Sequence, residues 1–337
     1  MKRITIAMLA LLMLACVLVG CAKQNDSNKK DDELKVVATI FPEYDWVMEI
    51  LGDKAYDAEV TMLLDNGVDL HSYQPTADDI IKVSDCDLFI YVGGESDGWV
   101  DDALKNATNK DMKVIDLLEV LGDSVKAEEV VEGMQTEEHD HDHEEEHEHG
   151  EEHDHEEEVE YDEHVWLSLR NAKILCEAIS SALQQIDPVN KDEYAVNCSA
   201  YIEKLSELDA KYQKAVDKAP LRTVLFGDRF PFRYLVDDYG LDYFAAFVGC
   251  SAESEASFET ISFLAKKVDE LNLPCVLTIE GKDHRIANTI VENTKAKNQK
   301  VLTMDSMQST TSKDVASGTT YLSVMEKNLK VLEEALN

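Results

Sequence analysis

Positive charge is what this chain lacks most. Its 337 residues carry 32 Lys and Arg against 69 Asp and Glu, a formal charge of −37. A surface so acidic repels nucleic acid and anionic lipid headgroups and draws cations, which excludes nucleic-acid binding. Long apolar runs are missing beyond the first twenty residues, since a membrane-spanning helix needs about 20 apolar residues and no later stretch approaches that. No helical stretch carries a His-Glu-x-x-His pair with a general base, the pattern expected of a zinc hydrolase, so the chain does not read as an enzyme. Beyond Cys16 and Cys21, five cysteines remain (Cys86, Cys176, Cys198, Cys250 and Cys275), and none belongs to a Cys-x-x-Cys motif. Five cannot all pair. Export would permit a disulfide, but the plainer reading for most of them is a buried apolar thiol.

The start of the chain is built for export. Lys2 and Arg3 supply a positive region, and residues 4–19 form an apolar run broken only by Thr5. This pattern reads as a signal peptide over 1–20. Leu18-Val19-Gly20-Cys21 looks like a bacterial lipobox, in which Cys21 is acylated and becomes the mature N-terminus. Residues 21–33 follow as a polar tether, of the composition of a flexible spacer. The expected location is the extracytoplasmic face of the cell membrane, held by a lipid anchor (periplasmic if the cell has two membranes). Removing Lys2 and Arg3 takes the charge from −37 to −39.

The remaining residues suffice for two domains of ordinary size. Short β-rich runs at 34–40, 60–64, 87–93 and 112–117 alternate with amphipathic segments near 42–51, 76–84 and 97–109. The rhythm returns with runs at 223–227, 243–249, 275–281 and 301–305, separated by helices near 230–239, 257–271 and 284–294. Such alternation predicts α/β architecture, with parallel sheets covered by helices. The expectation is two similar lobes, 34–187 and 219–337, each with a four-stranded, mainly parallel sheet flanked by helices. Between them, 188–218 predicts one long backbone helix joining the lobes: Tyr194, Tyr201, Leu205, Leu208 and Tyr212 fall at helical spacing with no Gly or Pro among them. A helical connection restricts hinge motion more than a flexible crossing would.

Residues 137–163 are the compositional outlier, holding 17 Asp or Glu and seven of the ten histidines. His139, His141, His143, His147, His149, His153 and His155 lie among acids, with no Lys or Arg and almost nothing apolar. Such a segment cannot offset its ordering entropy by burial, so 137–160 reads as a disordered loop inserted in the first lobe. His-rich tracts are metal-binding by composition, and this one reads as a weak, solvent-exposed cation collector. Only His71, His164 and His284 lie outside it. His71 sits in a Gly-containing loop after the second strand; His164 stands where the apolar pattern resumes after the acidic tract.

At these residues the sequence resembles the family of zinc- and manganese-binding proteins of ABC importers. The stretch 67–76, Gly-Val-Asp-Leu-His-Ser-Tyr-Gln-Pro-Thr, looks like the family's Gly-x-Asp-Pro-His-Ser-Tyr-Glu-Pro-Thr, with Leu70 for Pro and Gln74 for Glu. Residues 162–167, Asp-Glu-His-Val-Trp-Leu, resemble its Asp-Pro-His-Val-Trp-Leu. Asn171-Ala172, the long helix, Tyr239-Gly240, the acidic turn at 251–255 and the terminal segment 321–329 match in order, and a His- and Asp-rich loop is typical of the zinc members. The resemblance implies that His71 and His164 are metal ligands and that Asp305 is the second lobe's aspartate. At the remaining position the family has His or Glu. Anchoring on the following Phe aligns Asp228 there, and anchoring on Tyr239-Gly240 aligns Arg229, a cation that cannot bind metal. Chemistry prefers Asp228, with Glu280 the competitor and His284 a weaker one.

Asp228, Glu280 and Asp305 each fall at or just beyond a strand's C-terminal end, where open α/β sheets place their sites. Two imidazoles and two carboxylates suit zinc, though carboxylates also suit manganese. The implied function is an extracytoplasmic binding lipoprotein that captures Zn²⁺ as transported ligand, with Mn²⁺ the alternative, and delivers it to an ABC permease and its ATPase. A surface zinc buffer or adhesin is the other reading. Its expected partners are the metal ion, the permease and, through the lipid, the membrane.

Overall fold

The computed structural model describes residues 33–135, 160–251, 255–281 and 283–337. The expected signal peptide, lipidation at Cys21 and all of the tether but Glu33 lie outside the described residues, as do the seven tract histidines and positions 252–254 of the acidic turn. In the first lobe, β1 (Leu34–Ala38), β2 (Ala58–Met62), β3 (Leu88–Tyr91) and β4 (Lys113–Asp116) form one sheet in the order β2-β1-β3-β4, every pair parallel. Val36, Val37, Leu88, Phe89 and Ile90 are buried on these strands, because parallel strands are covered on both faces and need near-continuous apolar runs. The crossover helices begin at strong local signals. Helix α1 (Phe41–Leu51) has Pro42 in its first turn, and Glu43 reaches back to accept from the amides of Thr39 and Ile40. Helix α2 (Ala77–Asp85) is capped by Thr76, with Asp79 completing a reciprocal capping box. Helices α3 (Val100–Lys105) and α4 (Leu117–Leu121) are shorter; the expected helix at 97–109 is reduced to α3 and a preceding 3₁₀ turn at Glu95–Asp97.

Two helices the strand–helix rhythm concealed or revealed only in part follow. Helix α5 (Leu169–Ile186) was not anticipated; Ser168 caps it, and Leu169, Ala172, Leu175, Cys176, Ile179 and Leu183 bury one stripe. Helix α6 (Lys191–Lys218) is the expected long connection, 28 residues and so roughly 42 Å. Its buried residues, Tyr194, Cys198, Tyr201, Leu205, Leu208, Tyr212 and Val216, recur every three or four positions. A fully buried side chain of this size contributes about 1.5–3 kcal/mol, so the seam holds α6 firmly to the core.

The second lobe repeats the first. Strands β5 (Thr223–Phe230), β6 (Asp242–Val248), β7 (Cys275–Ile279) and β8 (Lys300–Met304) are all parallel in the order β6-β5-β7-β8, the same topology as before. Helices α7 (Arg233–Tyr239), α8 (Phe258–Leu271), α9 (Arg285–Asn293), α10 (Ser312–Ala316) and α11 (Tyr321–Ala335) complete the lobe. Phe230, expected to open a helix, instead ends β5, because its ring buries against Phe226 and stacks on Tyr243. A shift in register between Phe226 and Arg229 marks an irregularity in β5.

Helix α11 ties the lobes together. Tyr321 donates from its hydroxyl to the Trp166 carbonyl at 2.6 Å, and its amide donates to Asp45 of α1 at 2.9 Å. Tyr212 of α6 donates to the Met325 carbonyl at 2.6 Å. One apolar cluster runs from Val36 and Trp46 through Tyr201 and Leu205 to Phe226 and Leu277, so the lobes share a core.

Burial pushes the Asp45 carboxyl up to about 7, against the bond from the Tyr321 amide, which favours the charged form. A carboxyl raised on folding stabilises the protein fully below its unfolded value, and that stabilisation is lost as pH rises toward 7. Asp45→Asn keeps an acceptor for Tyr321 and removes the charge. The melting temperature of the variant should exceed that of the parent at pH 8, with the advantage shrinking steadily as pH falls from 7 to 4. Parallel melting curves across that range would show that Asp45 does not titrate there.

Candidate metal centre

The loops at the C-terminal strand ends of the two sheets bring the site together. After β2 the chain makes one 3₁₀ turn, Leu70–Ser72, capped by Asp69, whose Oδ1 accepts the His71 amide at 3.1 Å. His164 precedes a second such turn, Val165–Leu167; its amide donates to Asp162 Oδ1 at 2.9 Å, and it is fully buried. These two turns, 93 residues apart in sequence, set His71 Nε2 and His164 Nε2 3.2 Å from each other.

The opposite ring nitrogens are held by acids and a hydroxyl. His164 Nδ1 lies 3.0 Å from Asp162 Oδ1. His71 Nδ1 pairs with Ser96 Oγ at 2.8 Å and lies 3.4 Å from Glu163 Oε2, a charge contact more than a bond. Burial would raise the Glu163 carboxyl, but His71 and the Ser96 contacts outweigh it and hold the group below the usual range. Gly94 makes that acid's approach possible: φ is +82°, and a Cβ there would stand 2.4 Å from Glu163 Oε1. Neutral imidazoles that donate from Nδ1 to carboxylates keep Nε2 as the lone-pair nitrogen, the arrangement characteristic of metal-ligating histidines. Two nitrogens on a tetrahedral zinc at about 2.0–2.1 Å would be about 3.3–3.4 Å apart. The observed spacing is within 0.2 Å of that.

Cys250, just past β6, is the third member. Its Sγ and nitrogens of His71 and His164 lie within 4.8 Å of one another, the one such group of three among the described residues. Gly249 lets the turn in so closely, since a Cβ there would meet His164 Cε1 at 2.9 Å and the Phe230 carbonyl at 3.0 Å. The Cys250 amide donates to Glu128 at 2.9 Å. Burial first, then Glu128, Glu163 and Asp162, push its thiol well above the ordinary value. Cys86, Cys176, Cys198 and Cys275 are buried free thiols, as expected, but Cys250 departs from that reading. The legible signal was a Gly-Cys pair at the C-terminal end of a strand, which cysteine spacing alone does not reveal.

The other candidates stand apart from this group. Asp228 accepts from Thr278 Oγ1 at 2.5 Å and from the amides of Arg229 and Ile279. His284 Nδ1 pairs with the same Thr278 hydroxyl at 3.2 Å. Arg229 extends to the first lobe, donating to Asp69 Oδ2 at 2.6 Å. Burial would raise Asp69, and Arg229 outweighs it, leaving the carboxyl below its usual value. Glu280 accepts from the amides of Ser306 and Gln308 and from Ser306 Oγ; burial raises it, and neighbouring Asp305 adds to that. Asp305 accepts the Met307 amide and is raised by burial. Its loop leads to Gln308, a residue sequence reasoning passed over. With its amide nitrogen toward Asp69, Gln308 can accept from His164 Nε2 at 2.9 Å while that nitrogen carries the ring proton, a contact a metal on Nε2 would replace.

A cavity of about 260 Å³ opens beside His71 and Cys250, lined by Glu95, Glu128, Glu160 and Glu163. Glu128 and Glu160 belong to a short antiparallel bridge, Ala127 with Tyr161, that brings the two flanks of the histidine tract together.

Residues 36–335 match the family model described as zinc-uptake complex component A, periplasmic. The zinc-binding lipoprotein AdcA of Streptococcus pneumoniae (strain ATCC BAA-255 / R6) is 32% identical over 99% of this chain, which spans 61% of that protein's length. The high-affinity zinc uptake system protein ZnuA of Bacillus subtilis (strain 168) is 30% identical over 96% of this chain and 95% of its own. The crystal structure of the Zn(II)-bound ZnuA-like domain of Streptococcus pneumoniae AdcA matches with a TM-score of 0.67 and 28% identity, covering 90% of this chain and 99% of that one.

The Arg229–Asp69 pair joins the lobes at the site, and truncating it leaves an acid without its cation. Arg229→Ala should cost about 1–3 kcal/mol, below the range for fully buried pairs because both groups keep some solvent. Urea unfolding of the metal-free protein measures this; an unchanged midpoint would mean the pair contributes nothing.

Proposed function

The chain belongs to the zinc-uptake complex component A family, and on that premise we propose that it captures a divalent transition metal, zinc, outside the cytoplasm for an ABC permease and its ATPase. It belongs with metal-uptake components rather than enzymes. The observation that carries the reading is the pair of Nε2 atoms 3.2 Å apart, each on a ring whose other nitrogen faces an acid. His71 and His164 are the cargo ligands in this proposal. Asp162 and Glu163 orient the two rings and supply negative charge near the ion. Asp305 remains the candidate carboxylate of the second lobe, because its loop reaches the histidines at Gln308. Asp228, engaged in three hydrogen bonds of its own, is left out of the set.

Zinc rather than manganese follows from the ligand chemistry. Imidazole suits zinc, whereas carboxylate and water suit manganese. The acid-lined cavity gives the histidine tract its role. The tract's flanks meet at the Ala127–Tyr161 bridge, beside Glu128 and Glu160, so a weakly held ion released there is already among carboxylates. The tract therefore collects, and the histidine pair retains.

Titration calorimetry with a competing chelator tests both halves. The double change His71→Ala and His164→Ala should abolish the single tight zinc equivalent while weaker ones persist. Deleting residues 136–158 should remove the weak equivalents and leave the tight one. Loss of the tight equivalent in the deletion would place a tract histidine on the cargo and end the two-tier scheme. Asp162→Ala, which frees the His164 ring, should weaken tight binding by about 10–100-fold. A deletion strain that manganese rescues and zinc does not would overturn the choice of metal.

A further inference from the structure

We propose that Cys250 binds the cargo ion as a thiolate beside His71 and His164, giving the site preference for thiophilic metals over manganese. This rests on the capture function proposed above and specifies its chemistry. Both histidines come from the first lobe, so an ion held between lobes needs a donor from the second. Arg229 points into that space but is a cation and is already paired with Asp69. Asp228 is turned to Thr278 and the Ile279 amide. Asp305 accepts the Met307 amide and lies outside the cluster, so Cys250 is the second-lobe residue whose donor atom lies within 4.8 Å of both imidazoles.

Three features support a built position rather than a thiol that happens to be near. The glycine before it lets the turn press on the His164 ring, with a virtual Cβ 2.9 Å from Cε1. Glu128 holds the Cys250 amide at 2.9 Å, fixing the turn from the other side. Cys250 is also the one free thiol of the five that is not fully buried, and it lines the acid-walled cavity. On a tetrahedral zinc with Zn–S about 2.3 Å and Zn–N about 2.0–2.1 Å, sulfur and nitrogen would be about 3.5–3.6 Å apart. The donors now lie within 4.8 Å of one another, so the turn needs to close by no more than about 1.3 Å. As the metal–sulfur bond forms, the S–H bond breaks and its proton leaves to water through the cavity. The dication and one thiolate leave a single positive charge, to be offset by Asp305 or, through the rings, by Asp162 and Glu163.

Cobalt(II) titrated into the full-length protein lacking only residues 136–158 reads thiolate ligation directly. One tightly bound equivalent with a near-ultraviolet sulfur-to-cobalt charge-transfer band is expected. Cys250→Ser should keep the bound cobalt and its visible bands while losing the charge-transfer band. The same change should weaken zinc by about tenfold or more and leave manganese affinity nearly unchanged, because manganese gains little from sulfur. A full equivalent of cobalt without the band in the parent, or the band persisting in Cys250→Ser, overturns the thiolate. Absence of any tight cobalt in the parent would instead overturn the capture reading. Should Cys250→Ser not fold, alkylation of the parent decides: zinc should slow iodoacetamide labelling at Cys250, mapped by mass spectrometry, and equal rates with and without zinc would refute ligation.

Discussion

Two imidazole nitrogens facing each other at 3.2 Å are the constraint on which the rest of this structure depends. Two lone pairs at that separation would repel, so one nitrogen must carry a proton toward the other or a cation must lie between them. The arrangement persists because each ring is fixed from behind. Asp162 takes one Nδ1, and Ser96 with Glu163 takes the other. The acids are fixed in turn: the Asp162 carbonyl accepts from Tyr234 of the second lobe, and Glu163 accepts the Ser96 amide. Trp166 packs on His164 with ring centres 5.3 Å apart and donates to the Ser306 carbonyl. The geometry is therefore set by buried groups from both lobes, and an ion would meet donors already near their final positions.

The same constraint explains why acids gather where desolvation opposes them. Glu43, Asp97 and Glu280 are buried and raised, burial being the leading cause in each, whereas Asp69 and Glu163 are held low by partners that outweigh burial. The low ones touch the site through Arg229 or His71, whereas Glu280 and Asp305 on the 305–308 side are raised by burial. The chain's overall acidity works at longer range, raising cation concentration around the cavity.

Much of the fold was legible because parallel strands bury both faces and so read as unbroken apolar runs; all eight appear near their expected positions. Helix α6 was legible from its Tyr and Leu spacing. Helix α5 was not, because it follows the acidic tract directly and no strand separates it from α6 to mark its start. At the site, His71 and His164 stood out because so few histidines lie outside the tract. The neighbouring Asp228 and Arg229 could not be told apart, since the irregularity between Phe226 and Arg229 decides which residue faces Asp69, and sequence does not show a shift of register. Cys250 stayed hidden for a related reason: a lone cysteine after a strand reads as core until Gly249 is seen to press its turn on His164.

Rigidity limits how such a carrier can let go. Helix α6 runs between the lobes without a break, α11 bonds to α1, α6 and the Trp166 carbonyl, and one apolar cluster reaches into both lobes. A wide hinge opening would have to break all of these together. The contacts that cross between the lobes at the site itself are mostly polar: Arg229 to Asp69, Tyr234 to the Asp162 carbonyl, Trp166 to the Ser306 carbonyl, the Gln308 amide, and the turn carrying Cys250. Movement of the 305–308 segment would pull Met307 from the core and break the Trp166–Ser306 bond, so the turn at 249–250 is the part of the site that can shift at least cost to the core.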